Sequence, residues 1–405
     1  MSGVLRGGVR MPARVWRTAL FAGVMALLAA CSSTFDQLGS GLPEQQPTQL
    51  PPGAGPPAIG TGQVKVGLLL PLSATGNAGV AAISMKNAAE MALAEFKNPD
   101  IQLVVKDDGG TAPGAQAGAQ QALQEGTELL VGPRFAHSVG AAGQVTRNVG
   151  VPIIAFSTDV NVASRGIYLL SFLPESDVSR IVDYAVANGK RSFAALVPDN
   201  AYGAVMEAAF QQAVARKGGR VIALERYPLD PAKMLEPARR VALSGNRVDA
   251  IFIADGADAV PQIVQTLVSS GVNLKKVQLL GTGLWDDPRI FSNILLQGGW
   301  FAAPDGNGYR NFATRYRTKY GQDPVRTATL AYDAVALVAA LVKTQGERRF
   351  SEEVLTNPSG FAGIDGVFRF RNDGTSERGL SVMRVTPQGG QVIGPAPRAF
   401  SPSGT

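Results

Sequence analysis

The chain has very little of the chemistry on which most enzymes and metal-binding proteins depend. Its 405 residues include a single cysteine, Cys31, and a single histidine, His137. One cysteine cannot form a disulfide within the chain, so the fold must be stabilised by packing. A site built from several histidines is excluded, and a Ser-His-Asp site would have to use His137. We therefore expect neither a metal nor a cofactor.

Nucleotide-binding and hydrolase motifs are missing as well. The sequence has no glycine-rich loop ending in Gly-Lys-Ser/Thr and no Gly-x-Ser-x-Gly elbow. Gly281-Thr282-Gly283 follows an apolar run but lacks the third glycine of a dinucleotide site. The pairs Asp107-Asp108 and Asp286-Asp287 could act as acid and base, or be solvated loop carboxylates. We expect a protein that is not an enzyme.

Charge is also scarce, and its balance is misleading. Charged residues make up 17% of the chain and the formal net charge is +6. Arg6, Arg10, Arg14 and Arg17 precede Cys31 with no acidic residue among them. Removing these four from +6 leaves +2, and no basic cluster with interleaved aromatics remains. Nucleic acid is therefore not an expected partner.

The N-terminal segment has the layout of an export signal. Four arginines precede an apolar stretch that is too short to span a bilayer, and the small residues Leu28-Ala29-Ala30-Cys31 follow. This end resembles a bacterial lipobox. The resemblance implies a lipoprotein signal peptide over 1–30, and a membrane anchor through acylated Cys31. The alternative is an ordinary buried cysteine after a cleaved signal.

A region rich in proline and glycine follows the cysteine. Residues 31–63 contain six prolines between positions 43 and 57 and lack apolar periodicity, which predicts a disordered tether. As a flexible coil it would span about 30 Å. The folded body could therefore stand away from the membrane.

From residue 64 onward, short apolar runs alternate with alanine-rich helical stretches. Continuously apolar runs are typical of strands buried on both faces of a parallel sheet. The alternation predicts a doubly wound α/β fold, in which ligands bind at the carboxyl ends of strands. The predicted strands are 64–70, 101–105, 128–131, 152–156, 167–172, 192–197, 220–224, 250–253 and 277–280. The predicted helices between them are 81–96, 115–125, 139–149, 178–188, 204–216 and 257–270.

The last quarter of the chain is less regular. A helix over 311–320 should end at Gly321, and the apolar stretch 327–342, interrupted by Asp333, predicts a buried helix rather than a membrane span. The turn Asn372-Asp373-Gly374 predicts a β-hairpin between 366–370 and 380–385. Residues 398–405 are predicted to be a disordered tail.

Small polar residues follow the predicted strands. In a doubly wound sheet the loops after the strands converge on one cleft, and hydroxyl and backbone N–H groups there suit a small anionic or zwitterionic ligand. For each residue alone, the alternative is a helix N-cap. The candidate ligand-binding residues are Ser73, Ser138, Ser157, Thr158, Asp159, Tyr202, Asp255 and Thr282.

Six short motifs, in this order and spacing, resemble the type I periplasmic binding proteins of the leucine/isoleucine/valine-binding family. They are 66–73 (VGLLLPLS), 104–108 (VVKDD), 131–133 (VGP), 150–154 (GVPII), 199–203 (DNAYG) and 331–334 (AYDA). The resemblance implies two Rossmann-like lobes joined by three crossings, which close on a ligand. Lobe one would comprise 64–172 plus 302–364, and lobe two 173–301 plus 365–397.

The same resemblance implies roles for individual residues. Hydroxyls at Ser138, Ser157 and Thr158 stand where the family binds an amino acid's carboxylate, and Tyr202 lines the cleft. The ammonium is usually held by acidic residues in two loops, but Ser176 and Thr282 stand at those positions. Asp177 lies one step further along the chain. Amino-acid binding would then need Asp159 or Asp255 as a substitute, because an unpaired buried ammonium is costly.

A second resemblance is to the penicillin-binding protein activator lipoproteins, which share this fold. It is carried by 67–73 (GLLLPLS), 156–159 (FSTD), 283–288 (GLWDDP), 298–304 (GGWFAAP) and 366–370 (GVFRF). It implies an outer-membrane lipoprotein that contacts a peptidoglycan synthase, and the missing acidic partner favours this interpretation. The alternative is the substrate-binding protein of an ABC importer for branched-chain amino acids or related compounds, with a permease as partner.

Overall fold

The computed structural model describes residues 58–230 and 232–400. The predicted signal peptide, Cys31 and most of the tether lie outside these residues. The tether prediction extends too far, because Ile59 donates to and accepts from Leu103 in an antiparallel bridge. The tail prediction begins too early, since the Phe400 ring lies 4.5 Å from the Arg369 guanidinium. The folded body therefore includes residues near both predicted disordered segments.

The first part of the chain forms a five-stranded parallel sheet in the order β2-β1-β3-β4-β5. Most of its strand residues are apolar and buried, and helices cover the sheet on both sides. Its strands are β1 (Val64–Leu70), β2 (Ile101–Asp107), β3 (Leu129–Val131), β4 (Ile153–Ala155) and β5 (Ile167–Leu169). Its helices are α1 (Gly76–Glu95), α2 (Ala112–Gln124) and α3 (Ala136–Arg147).

The middle of the chain builds a second sheet of the same kind. Its five parallel strands are β6 (Ser192–Pro198), β7 (Arg220–Tyr227), β8 (Ala250–Ile253), β9 (Gln278–Gly281) and β10 (Trp300–Ala303). The helices are α4 (Pro174–Ala187), α5 (Ala201–Arg216), α6 (Leu235–Ala242), α7 (Val260–Ser269) and α8 (Pro288–Phe291). Each helix of more than one turn buries one apolar face against the sheet or a neighbouring helix.

The remaining elements return to both sheets. Helix α10 packs against α1 within the core of the first sheet, while β13 and β14 extend the second sheet to the order β14-β13-β10-β9-β8-β6-β7. These elements are α9 (Gly306–Tyr320), α10 (Ala328–Gln345), α11 (Glu352–Leu355), β11 (Phe368–Phe370), β12 (Ser376–Arg378), β13 (Ser381–Thr386) and β14 (Gly389–Gly394). Both cores thus need residues from the C-terminal quarter.

The predicted α/β fold and its parallel order are confirmed. All nine predicted strands are present, and Gly321 ends α9 with a φ of 73°, as a C-terminal cap requires. Strand β10 and helix α6 were missed. Among the described residues, no helix is both long and apolar enough to cross a membrane. The stretch 327–342 lies within α10, whose Asp333 is 2% exposed.

The predicted C-terminal hairpin is wrong in its second strand. β11 pairs with β12, whereas β13 pairs with β10 and β14. The turn after Arg371 is tight, because Gly374 adopts a φ of 84° and its amide donates to the Arg371 carbonyl, while the Arg371 amide donates to the Thr375 carbonyl. Phe370 packs 5.4 Å from Tyr168 of the first sheet. Residues 368–378 therefore belong with the first lobe, not with the second as predicted.

Candidate functional site

The five parallel strands of each sheet have their carboxyl ends on the same side. We call this side the first edge for β1–β5 and the second edge for β6–β10. Ser73, Arg134 and Ser157 follow strands of the first sheet, Asp107 ends β2, and a second set of polar residues follows strands of the other sheet. Because parallel strands share their direction, the residues after them gather at one edge. The two edges use their polar residues differently.

At the second edge, Tyr202 and Thr282 lie next to each other. Tyr202 lies in the first turn of α5, which Asn200 caps by accepting from the Gly203 amide at 2.8 Å. The Tyr202 hydroxyl lies 3.5 Å from Thr282 Oγ1, which accepts in turn from the Leu284 amide at 3.3 Å. Burial raises the pKa of Tyr202, so its phenol stays neutral and can donate a hydrogen bond.

An acidic residue reaches this edge from a neighbouring element. Asp177, in the first turn of α4, accepts from the Gly283 amide at 2.9 Å through Oδ2. Burial is the main cause that raises the pKa of Asp177 to about 7; the Gly283 hydrogen bond opposes it and the charge of Glu175 adds to it. The carboxyl lies close enough to Tyr202 to raise its pKa too. Asp177 thus supplies an acid beside Thr282.

The sequence interpretation gave the acidic position to Ser176. Helical periodicity could have corrected this, because Asp177 stands four residues before the buried Ile181 and shares its face. Ser176 instead lines a cavity of about 370 Å³ next to β12, together with Glu175 and Arg378. One residue along a helix is a rotation of about 100°, which separates the two side chains.

Asp255 lies at the same edge and is already engaged. The Tyr227 hydroxyl donates to its Oδ2 at 2.5 Å, and the Gly256 amide donates to Oδ1 at 2.7 Å. Tyr227 is fully buried at the end of β7, beyond the predicted end of that strand at 224. Burial and the Asp255 hydrogen bond raise the pKa of Tyr227. Asp255 and Tyr227 therefore form a fixed pair beside Tyr202.

At the first edge, two of the candidate ligand-binding residues are buried and direct their hydroxyls toward the backbone. Ser138 is fully buried and its hydroxyl donates to the Thr111 carbonyl at 3.3 Å. Ser157 is 4% exposed and its Oγ accepts from the Asp159 amide at 3.1 Å. In this conformation both satisfy the protein's own backbone. Thr158 is exposed, and its ligand role stays a prediction.

The other two predicted residues of this edge remain accessible. Ser73 is exposed, and its amide donates to Asp107 Oδ1 at 3.2 Å. Asp159 is exposed and caps a short 3-10 helix by accepting from the Asn161 amide at 3.0 Å. The structure does not bring either side chain into contact with the Tyr202 group.

The sequence interpretation missed a cation that follows β3, the strand between β1 and β4. Arg134 lies over the Phe135 ring at 5.4 Å, and that ring stacks on His137 at 5.7 Å. Among the described residues, Arg134 forms no ion pair. Below it, burial raises the pKa of Asp108 to about 6, against a hydrogen bond from Gly110. The first edge thus carries the cation Arg134 as well as the carboxyls of Asp107, Asp108 and Asp159. The second edge carries the carboxyls of Asp177 and Asp255, so a zwitterion has a partner for each of its charges.

The comparisons with known proteins agree with this architecture. A family model described as a periplasmic binding protein matches residues 63–391. The sequence matches no curated protein. Three solved structures illustrate the likeness, and at these identities they show the fold alone.

The first comes from Rhodospirillum rubrum and is assigned to branched-chain amino acid ABC transport. It is 20% identical, with a TM-score of 0.72 over 82% of this chain and 99% of that one. A branched-chain amino acid ABC transporter ligand-binding protein from Burkholderia xenovorans is 20% identical, with a TM-score of 0.63 over 84% and 96%. A solute-binding protein from Rhodopseudomonas palustris, in complex with 3,4-dihydroxybenzoic acid, is 20% identical, with a TM-score of 0.57 over 84% and 98%.

Proposed function

Since the chain belongs to the periplasmic binding protein family, we propose that it is the substrate-binding protein of an ABC importer and takes an amine-bearing, amino-acid-like ligand. The observation that carries the proposal is Asp177. Its carboxylate reaches the loop where the sequence has Thr282 in the acidic position. Asp177 can therefore supply the carboxylate that Ser176 and Thr282 cannot, and an ammonium would have an acidic partner in the cleft.

The two charges of such a ligand find partners on different edges. The ammonium would lie against Asp177 and the Tyr202 phenol, and the carboxylate against Arg134 and the loop amides near Ser73. A desolvated ion pair of this kind, once broken on one side, costs about 2–5 kcal/mol. Structural relatives whose names refer to amino-acid transport support the ligand class.

The lobes would close on this ligand by bending at three crossings. We place these crossings near residues 169–174, 303–306 and 378–381, where the chain passes from one sheet to the other. Lobe one then consists of 64–172 and 304–378, and lobe two of 173–303 and 379–397. This assignment rests on which core each segment packs against.

The test is calorimetry against a panel of amino acids and related amines, with aromatic acids included. We expect micromolar binding of at least one amine, and Asp177→Asn should weaken it by about 30- to 5000-fold. Asp183→Asn, the same change on the outer part of α4, is the matched control and should alter the affinity less than twofold. A folded protein that binds no member of the panel would contradict the receptor function.

A regulator of a peptidoglycan synthase is the second candidate. The observation in its favour is that the hydroxyls of Ser138 and Ser157 are hydrogen-bonded to the backbone. The cleft therefore has fewer hydroxyl donors for a ligand carboxylate. The activator-like motifs agree with it. Stimulation of a purified synthase, without binding of any amine, would support this function over import.

In either function we propose that the protein is anchored to an envelope membrane through acylated Cys31. Cys31→Ser should move the protein from the membrane fraction to the soluble fraction, and mass spectrometry of the N-terminal peptide should detect the lipid. Membrane fractionation by density would then distinguish the outer membrane, which the activator resemblance implies, from the inner one.

A further inference from the structure

Two neighbouring helices of the first lobe present a surface without charge. No Asp, Glu, Lys or Arg occurs from residue 109 to 124, which includes α2, or from 135 to 146, which covers nearly all of α3. At the chain average of 17%, these 28 positions would carry about five charged residues. The two helices pack side by side, so the gap in charge is one continuous face.

Amide side chains take the place of charges on this face. Gln116, Gln120 and Gln124 follow each other at one-turn intervals along α2, opposite Gln144 and Asn148 of α3. They border a groove of about 600 Å³ whose remaining lining is Leu123, Val145 and Val149. Val149 is 61% exposed. Depletion of charged residues at the centre of a patch is one mark of interface cores.

We propose that this face, formed by the groove-lining residues of α2 and α3 from Gln116 to Gln124 and from Gln144 to Val149, Arg147 excepted, is a two-fold interface between two copies of the chain. In a two-fold contact the same patch meets itself, so every charge near the axis would face a like charge. An amide both donates and accepts, and it can therefore pair with its own copy. A face that bears only amides and small apolar residues is complementary to itself in a way that a charged face cannot be.

The rest of the described surface offers a useful contrast. Helix α7 also lacks charge, but α6 beside it carries Glu236, Arg239 and Arg240, so no uncharged face spans two helices there. The proposed contact lies on the outer side of the first sheet and does not use the residues of the ligand site. It therefore holds or fails independently of the proposed function.

Sedimentation equilibrium of the purified protein over about 1–200 μM tests the proposal. We expect the mass of two chains at the upper concentrations. The double variant Gln120→Glu/Gln144→Glu brings four carboxylates into the contact and should raise the dissociation constant by about 100-fold or more, because like charges in an interface repel. Its circular dichroism and melting temperature serve to show that it is folded.

The matched control makes the same exchange on α7. Gln262 and Gln265 are both exposed, and Gln262→Glu/Gln265→Glu should leave the dissociation constant within about twofold of the unchanged protein. A single-chain mass for the unchanged protein at every concentration would overturn the proposal. So would a dimer that resists the α2/α3 variant, or one that both variants dissociate equally. A covalent dimer of Gln120→Cys but not of Gln265→Cys on a non-reducing gel would support it further.

Discussion

The loops at the two sheet edges are made from the same kinds of residue, yet they are put to different uses. At the first edge, Ser138 and Ser157 turn their oxygens toward the backbone. At the second edge, Tyr202 and Thr282 stay in contact with each other, and Asp177 joins them from α4. Thr282 also serves its own loop by accepting from the Leu284 amide, so the second edge differs through the Asp177 carboxyl that arrives from another element. The side chain from outside the loop is what distinguishes a site from a cap.

The largest effect we expect concerns which lobe the segment 368–378 completes. Phe370→Ala removes a ring that is 2% exposed and packed against Tyr168, so the first lobe should lose about 3–5 kcal/mol of unfolding free energy. Denaturant unfolding measures this loss. Val392→Ala, on the half-exposed edge strand β14, is the control, with less than about 1 kcal/mol expected. An equally small loss of unfolding free energy for Phe370→Ala would contradict the assignment of residues 368–378 to the first lobe.

The second effect is a pH dependence of ligand binding that comes from Asp177 at the second edge. The pKa of Asp177 is raised to about 7, so this carboxyl is ionised above that pH and neutral below it. Affinity for an ammonium should be constant above about pH 7.5 and fall by up to tenfold per unit below, about 100-fold at pH 5. Calorimetry at pH 5–8 measures it. Asp177→Asn should flatten the profile, and a profile unchanged by that variant would assign the titration to another group.

Without ligand, the same carboxyl affects stability with the opposite sign. Its folded pKa lies above the ordinary value of 3.8, so the folded protein binds the proton more tightly than the unfolded chain does. Its contribution therefore favours the fold below about pH 4 and is lost as the pH rises to about 7. Ligand binding should offset this loss, because an ammonium stabilises the ionised form.

A smaller effect tests the contact between Tyr202 and Thr282. Tyr202→Phe keeps the ring and removes only the hydroxyl, whose hydrogen bond is worth about 0.5–1.5 kcal/mol. Ligand affinity should therefore fall by roughly 2- to 12-fold in calorimetry. Thr282→Val, the matched change on the partner, should have a similar effect, and the double variant should add little. Full additivity would mean that the two hydroxyls act separately.

The smallest effect on binding belongs to the first edge. Ser138→Ala removes a hydroxyl that bonds only to the Thr111 carbonyl, so affinity should stay within about twofold while stability falls by about 1 kcal/mol. Calorimetry and thermal melting measure the two quantities on the same sample. A tenfold loss of affinity would show that the hydroxyl rotates to the ligand, and the difference between the edges would disappear.

Much of the fold could be predicted from the sequence. The parallel strands are continuously apolar, as in β1 and β8, and their buried pattern leaves little ambiguity about where they lie. Strand β10 was not found in this way, since Trp300–Ala303 directly follows the glycines at 298 and 299, which interrupt the apolar run. The hairpin was misassigned because an Asp-Gly turn gives the reversal of the chain, but not the sheet that the next strand joins.

The site was less predictable than the fold, and for a different reason. Position after a strand identified Tyr202, Asp255 and Thr282, which the structure brings together. Tyr227 and Arg134 were missed because a strand's final residue and a loop cation carry no periodic signal. The direction of the Ser138 hydroxyl depends on a carbonyl 27 residues earlier, which no local pattern encodes.

The return of the chain to the first sheet affects how the protein can fold. Helix α10 packs against α1, and Phe368 and Phe370 enter the same core as Val64 and Leu68, some 300 residues earlier in the chain. The second sheet likewise gains β13 and β14 only after residue 381. Neither core can close until nearly all of the chain is present, so native contacts span long loops and should form slowly. A chain that is still being synthesised or translocated would therefore have two incomplete cores until its C-terminal segment is available.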